Sequence, residues 1–166
     1  MTGPDADLDA VEVFFDYTCP FTYRAHRWLE TLDDLSVTWR PFSLLEHNYD
    51  LDLDHYRRQV LRAWHQTRTP LDLDAIMRIA ADAGVHADPA AVRAHFLDAE
   101  ADYAAAAALG VFGTPSLAYP DQTVAFVKLD AIPATYRART VWETTRRLAD
   151  ETVELREWQR VTPPPR

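Results

Sequence analysis

Several residue types are scarce in this 166-residue chain, and each scarcity excludes a class of structure or function. A single cysteine, Cys19, cannot form a disulfide within the chain, so packing must hold the fold together. Four glycines are too few for a glycine-rich phosphate loop, and no run of about 18 apolar residues is present to span a membrane. Lysine occurs once, at Lys128, and 26 acidic residues outnumber 17 basic ones. The net charge of −9 argues against nucleic acid as a partner.

The overall composition predicts one domain over residues 1–166. Hydrophobic residues make up 48% of the chain and charged residues 26%, which suits a compact core of ordinary size. The opening "MTGPDADLDA" lacks the basic and apolar segments of an export signal, so we expect a cytoplasmic protein without a membrane partner. No HExxH motif or Cys/His cluster occurs, so we expect no metal site and no tightly bound cofactor.

The first third of the chain predicts a strand, a helix and a second strand. "VEVFFDY" (11–17) is a short apolar run typical of a buried strand. Residues 20–32 then follow helical spacing, and "SVTWRPF" (36–42) alternates like a strand near the edge of a sheet. Three such elements within about 30 residues predict a βαβ unit with two parallel strands.

The rest of the chain predicts a helical insertion followed by a hairpin. Residues 50–110 carry three helical patterns, which we interpret as an insertion subdomain. Strands at 116–119 and 123–128 flank the turn Pro120-Asp121-Gln122, and a last helix fits 134–149. This order predicts an α/β fold in which helices interrupt the sheet between its second and third strands.

Cys19 lies where the first strand gives way to the first helix. A thiol is nucleophilic as its thiolate, and the unpaired amides and the dipole of a helix N-terminus favour negative charge. With Cys19 at the N-cap and Pro20 as the first helical residue, we expect the amides of Phe21 and Thr22 to face the sulfur. The Thr22 hydroxyl could add a further hydrogen bond. A small buried hydrophobe is the alternative interpretation, but the carboxyl end of a strand in a βαβ unit faces a ligand crevice, which favours a reactive cysteine.

Three segments carry a resemblance to a known family. "FFDYTCPFTYRAHRWL", "VTWRPFSLLEHN" and "GVFGTPSLAYPDQTVAF" together resemble the DsbA-like thioredoxin-fold oxidoreductases, in their cytoplasmic branch. Within that branch the chain is similar to mycothiol-dependent reductases, with 2-hydroxychromene-2-carboxylate isomerases and kappa-class glutathione transferases as cousins. The resemblance implies a thioredoxin-like mixed four-stranded sheet and a cis peptide between Thr114 and Pro115, packed against the active cysteine. It also implies that the Thr114 backbone pairs with a thiol-bearing substrate.

The motif Cys19-Pro20-Phe21-Thr22 departs from the two-cysteine pattern of dithiol members. A mixed disulfide on Cys19 must then be resolved by another molecule, and we expect mycothiol or glutathione as the co-substrate. The predicted function is a monothiol oxidoreductase acting on a small-molecule or thiol/disulfide substrate. Two alternatives stay open. One is a thiol-cofactor-dependent transferase or cis-trans isomerase, in which Thr22 or Cys19 orients the cofactor's sulfur. The other is a non-catalytic binding module.

The candidate site residues follow from these interpretations. We assign catalysis to Cys19 and Thr22, and substrate binding to Pro20, Phe21, Thr114, Pro115, His47 and Asn48. His47 and Asn48 are included because they follow the second strand in a loop that could cover the crevice. His26 is about two helical turns from Cys19, and we expect it to be exposed and solvated.

Overall fold

The computed structural model describes residues 10–42, 54–85, 90 and 102–150. Its strands are β1 (Ala10–Phe15), β2 (Ser36–Pro41), β3 (Ser116–Ala118) and β4 (Val124–Phe126). Its helices are α1 (Pro20–Leu29), α2 (Asp54–His65), α3 (Leu73–Asp82), α4 (described over 102–108) and α5 (Thr135–Asp150). The order of these elements is the predicted order, although α1 ends at Leu29 instead of continuing to residue 32. None of the described helices is long and apolar enough to cross a membrane.

The four strands form one mixed sheet in the order β2-β1-β3-β4. Strand β1 runs parallel to β2 and antiparallel to β3, and β3 pairs antiparallel with β4 as a hairpin. Helices α2, α3 and α4 lie between β2 and β3 in the chain, so the predicted thioredoxin-like sheet with a helical interruption is confirmed. The assignment of residues 50–110 to a separate subdomain stays a prediction.

Strand β1 is central because its apolar side chains serve both faces of the sheet. Val11, Val13 and Phe15 enter the larger core, whereas Phe14 points to the opposite face and packs in a smaller cluster with Ala106 of α4. A strand buried on both faces has the nearly continuous apolar run that the sequence displays. The end of β1, where the chain turns toward α1, is therefore held from both sides.

Helix α1 is fixed against the larger core by its buried face. Trp28 is fully buried, and its Nε1 donates a hydrogen bond of 3.0 Å to the Ala138 carbonyl oxygen of α5. Its ring also packs beside that of Trp142, with centroids 6.4 Å apart. Burying an indole of this size together with its only donor contributes on the order of 2–3 kcal/mol. The N-terminus of α1 is therefore held in place by contacts two turns away.

The predicted exposure of His26 is wrong. Its relative exposure is 2%, because α1 packs its flank against β2 and the His26 ring lies 5.0 Å from the Trp39 ring, between centroids. Glu30, one turn on, supplies a polar partner with its Oε2 at 3.4 Å from His26 Nδ1. The buried face of α1 is thus wider than the spacing of its apolar residues predicts, and it includes a histidine.

Candidate active site

The structure places Cys19 at the N-cap of α1 with Pro20 as the first helical residue. The Cys19 amide donates to the Asp16 carbonyl oxygen at 3.1 Å, and the Cys19 carbonyl oxygen accepts the first helical hydrogen bond, from the Tyr23 amide at 3.1 Å. Proline fits the next position because it has the φ of a helix and the missing N–H would be unpaired there anyway. The sequence therefore starts the helix immediately after the thiol.

The Cys19 thiol is half-buried and faces the loop that precedes β3. Its Sγ donates a hydrogen bond of 3.3 Å to the Thr114 carbonyl oxygen, and the side chain makes no capping hydrogen bond to α1. The sulfur thus contacts Thr114 in the structure, and not the amides of Phe21 and Thr22 as expected. A protonated thiol can donate to a carbonyl oxygen but not to an amide N–H, and its sulfur is only a weak acceptor for such amides.

The loop from residue 113 to residue 115 is held by hydrogen bonds at both ends. The Ser116 hydroxyl donates to the Gly113 carbonyl oxygen at 2.8 Å, and the Val127 amide donates to the Pro115 carbonyl oxygen at 3.1 Å. The Thr114–Pro115 peptide bond is cis, the isomer that the resemblance implies. Because Ser116 pairs with Phe14 across the sheet, this loop and the turn bearing Cys19 emerge at the same end of the sheet.

The Thr22 side chain does not bond to the sulfur. Thr22 is fully buried, and its Oγ1 accepts a long hydrogen bond of 3.5 Å from the Asp16 amide. The Asp16 carboxylate in turn accepts from the Thr18 amide and hydroxyl, both at 2.7 Å. Thr22 thus helps to hold the turn between β1 and α1, and its assignment to catalysis stays a prediction.

The remaining predicted site residues are divided by position. Pro20 is exposed next to the thiol, and Phe21 is half-buried with Lys128 Nζ 5.6 Å from its ring centroid. Pro115 is buried at the end of the sheet where the turn bearing Cys19 emerges. His47 and Asn48 lie outside the described residues.

A cavity of about 320 Å³ borders the N-terminal half of α1. Its lining comes from α1, from α2 with the turn that follows it, and from the segment before α5: Pro20, Tyr23, Arg24, His65, Arg68 and Ile132. Pro20 directly follows Cys19, so the cavity borders the start of the helix that Cys19 caps. Sequence reasoning identified only Pro20 among these residues.

His65 connects α2 to the turn before Cys19. Its Nε2 lies 2.9 Å from the Tyr17 carbonyl oxygen, and its ring stacks on Tyr23 with centroids 4.9 Å apart. Since a carbonyl oxygen only accepts, Nε2 must carry the proton. A signal for His65 was present in the sequence: Tyr56, Val60, Leu61 and Trp64 recur at helical spacing, and His65 follows Leu61 by four residues on the same stripe.

The electrostatics around His65 keep its imidazole neutral. Burial lowers the pKa of His65 below its ordinary value, the hydrogen bond to the Tyr17 carbonyl oxygen opposes this shift, and the nearby cations Arg68 and Arg24 add to it. The Asp16 carboxylate acts in the opposite direction to the two arginines. The imidazole therefore donates through one N–H and adds no charge to the cavity near neutral pH.

Comparisons with known proteins agree with this geometry. Residues 10–61 match the DSBA-like thioredoxin domain. That match covers β1, α1, β2 and the start of α2, and it confirms the resemblance carried by the sequence around Cys19. No curated protein sequence matches the chain.

Solved structures extend the likeness to most of the chain. A 2-hydroxychromene-2-carboxylate isomerase matches with a TM-score of 0.55 at 14% identity, over 89% of this chain and 100% of that chain. Reduced DsbA1 from Neisseria meningitidis matches with a TM-score of 0.54 at 13% identity, over 91% of each chain. At such identities these likenesses establish the thioredoxin-like fold, and two named relatives of the sequence-based interpretation are among them.

Proposed function

We propose that the protein is a monothiol thiol-disulfide oxidoreductase in which Cys19 is the nucleophile. The observation that carries this proposal is the position of Sγ: at the N-cap of α1, half-buried, and 3.3 Å from the Thr114 carbonyl oxygen before Pro115. Packing alone does not require a cysteine at a helix N-terminus or a hydrogen bond from its sulfur to the loop before β3. Sulfur placed in this way has amide donors available once it ionises.

The proposed reaction is disulfide exchange in two steps. The hydrogen bond to Thr114 keeps the protonated sulfur facing the crevice, and loss of the proton to solvent gives a thiolate that can accept from the first-turn amides of Phe21 and Thr22. The Cys19 thiolate attacks one sulfur of a substrate disulfide, forms a mixed disulfide and releases the other sulfur as a thiolate.

The second step needs a thiol from another molecule, because the chain has no second cysteine. An external low-molecular-weight thiolate, of the mycothiol or glutathione class, attacks the substrate sulfur of the mixed disulfide and restores the Cys19 thiolate. One disulfide is consumed and one is formed, so no further oxidant or reductant is required. We place this reaction in the cytoplasm, where small thiols are abundant.

Alkylation kinetics test the proposal directly. The rate of reaction of iodoacetamide with Cys19 is measured at about pH 6.5 in the folded protein and in urea, where the same thiol has no helix beside it. We expect the folded protein to react at least about tenfold faster, because only the thiolate reacts and the fold favours it. An equal or slower rate in the folded protein would support a binding module and contradict the proposal.

A thiol-cofactor-dependent isomerase or transferase is the second candidate. It is favoured by the lone cysteine and by the likeness to the 2-hydroxychromene-2-carboxylate isomerase. In that reaction the sulfur of a bound thiol would attack the substrate, and Cys19 would orient it. The buried Thr22 hydroxyl is a weaker choice for this task, since it is directed to the Asp16 amide. Mass spectrometry after incubation with oxidised glutathione separates the two, because only the oxidoreductase carries glutathione covalently on Cys19.

A further inference from the structure

The cavity beside Cys19 has an unusual charge for this protein. Arg24 and Arg68 line it, and no acidic side chain of the described ranges does so. The chain as a whole has a net charge of −9, so two cations without a carboxylate in the lining run against its average composition. Burial of His65 leaves the arginines as the charges of the lining near neutral pH.

Arg24 is held in place by contacts outside the cavity. Its Nη1 donates to the Leu129 carbonyl oxygen at 2.8 Å, and its Cζ lies 5.3 Å from the centroid of the Phe21 ring. One end of the guanidinium is thereby fixed, while its other N–H groups have no hydrogen-bond partner among the described residues. A fixed guanidinium loses less side-chain entropy when it binds a ligand than a mobile one does.

Arg68 brings a second cation to the rim from the turn that ends α2. Its φ is 57°, in the left-handed region where glycine would be the favoured residue at a helix end. The Thr69 amide closes this turn on the Ala63 carbonyl oxygen at 2.9 Å. Arg68 is exposed, and it has no ion pair with a carboxylate of the described part of the chain. An arginine here adds charge at a position where the backbone would prefer glycine.

We infer that this cavity is a subsite for the carboxylate of the thiol or disulfide that reacts with Cys19. The inference rests on the proposed function and deepens it by naming the substrate class: small thiols that carry a carboxylate, as glutathione does and mycothiol does not, and their disulfides. Guanidinium groups bind carboxylates through paired, charge-assisted hydrogen bonds. A cavity of about 320 Å³ has the size of a small-molecule site, and its lining includes Pro20, the residue that follows Cys19.

Two disulfide reagents of different charge test the subsite. 5,5′-Dithiobis(2-nitrobenzoate) carries two carboxylates, and 4,4′-dithiodipyridine is neutral. Each reacts when the Cys19 thiolate attacks one of its sulfurs, forms a mixed disulfide and expels a coloured thiolate or thione, so both rates are read from absorbance. The ratio of the two rates measures recognition of the carboxylate separately from the reactivity of Cys19.

The variants are Arg68→Gln and Arg24→Gln, with Arg78→Gln as the matched control. Arg78 is an exposed arginine of α3 outside the cavity lining, so its loss changes the net charge equally. We expect Arg68→Gln to slow the anionic reagent about five- to tenfold and to leave the neutral reagent within about twofold. Arg78→Gln should alter neither rate, and added salt should reduce the advantage of the anionic reagent in the unmodified protein.

The possible results distinguish this inference from the function on which it rests. If Cys19 reacts rapidly with both reagents and Arg68→Gln leaves their ratio unchanged, the subsite is wrong and the oxidoreductase proposal stands. If the folded protein reacts with neither reagent, both are overturned. Arg24→Gln adds a second measurement from a different element, and it must lower the ratio in the same direction.

Discussion

Helix α1 borders two cavities of similar size that differ in how their charges are matched. The site cavity has a volume of about 320 Å³, and its charged lining residues in the described part of the chain are all basic; it is lined by Pro20, Tyr23, Arg24, His65, Arg68 and Ile132. The far cavity, of about 280 Å³, lies between α1, β2 and the start of α2. It is lined by His26, Leu29, Glu30, Leu32, Leu35, Val37, Trp39, Asp54 and Arg58.

Charges of the far cavity are paired within the chain. Glu30 Oε1 lies 2.9 Å from Arg58 Nε, and Glu30 Oε2 lies 3.4 Å from His26 Nδ1. Asp54 Oδ1 likewise lies 2.8 Å from Nη1 of Arg57. Charges that neutralise each other serve the fold, whereas the two arginines of the site cavity have no carboxylate beside them in the lining that the structure describes. On our proposal, the pairing of charges, more than the volume, distinguishes the structural cavity from the binding one.

The largest expected effect comes from Cys19, the residue before Pro20 of the site cavity. Replacing the nucleophile by Cys19→Ser should slow disulfide exchange at least about a hundredfold, because a hydroxyl is a far weaker nucleophile than a thiol and cannot form the mixed disulfide. Exchange is measured as release of a fluorescent thiol from a mixed disulfide in the presence of glutathione. Glu30→Gln, in the far cavity, should retain exchange within about twofold. Equal losses in the two variants would contradict the division between the cavities.

The effects on the free energy of unfolding should be the reverse: larger for a variant in the far cavity than for one in the site cavity. His26→Ala removes a buried ring that packs on Trp39, and we expect it to lower the free energy of unfolding by about 2 kcal/mol. Arg68→Gln, at an exposed position of the site cavity, should change it by less than about 0.5 kcal/mol. Urea unfolding followed by tryptophan fluorescence gives both values. A larger loss for Arg68→Gln would indicate that this arginine serves the fold.

The smallest expected effect is on the pH dependence of stability, to which a residue of each cavity contributes in a different pH range. The pKa of His65 is lowered in the folded protein, chiefly by burial, so the unfolded chain binds more protons and stability falls as the pH drops below about 6.5. The pKa of Glu30 is also lowered, chiefly by its hydrogen bond to His26, so its contribution is lost only as the pH falls below about 4.5.

Two variants test which residue is responsible for the loss of stability in each pH range. His65→Gln should flatten the loss of stability between about pH 7.5 and 5.5, while Glu30→Gln should leave that window intact and reduce the loss at lower pH. The measurement is the urea midpoint as a function of pH. A loss between pH 7.5 and 5.5 that persists in full in His65→Gln would show that another group titrates there.

The strands and the Cys19 junction could be predicted from the sequence because their signals are local. The apolar run at 11–15 is that of a strand buried on both faces, and Cys19-Pro20 is a helix start that needs no tertiary information. The hairpin was likewise marked by its turn residues between two short apolar runs. Such features depend on residues that are close in the chain.

The cavities could not be predicted because they depend on which faces of separate helices meet. His26 was expected in water, yet β2 brings Trp39 over it. His65 and Arg68 come to the N-terminal half of α1 only because α2 packs against α1, a relation across about 45 residues that no spacing encodes. The Thr22 hydroxyl was expected at the sulfur, but the turn directs it to the Asp16 amide.

The pairing of Phe14 with Ser116 has a consequence for how this architecture can change. Cys19 and Thr114 both lie within five residues of that pair, so the backbone ladder between β1 and β3 sets the spacing of the Cys19 sulfur and the Thr114 carbonyl oxygen. The helices between β2 and β3 contribute residues to the rim but no part of that ladder. Evolution or protein engineering can therefore replace the helices between β2 and β3, and so change the lining of the site cavity. The sulfur of Cys19 and the carbonyl oxygen of Thr114 keep their places.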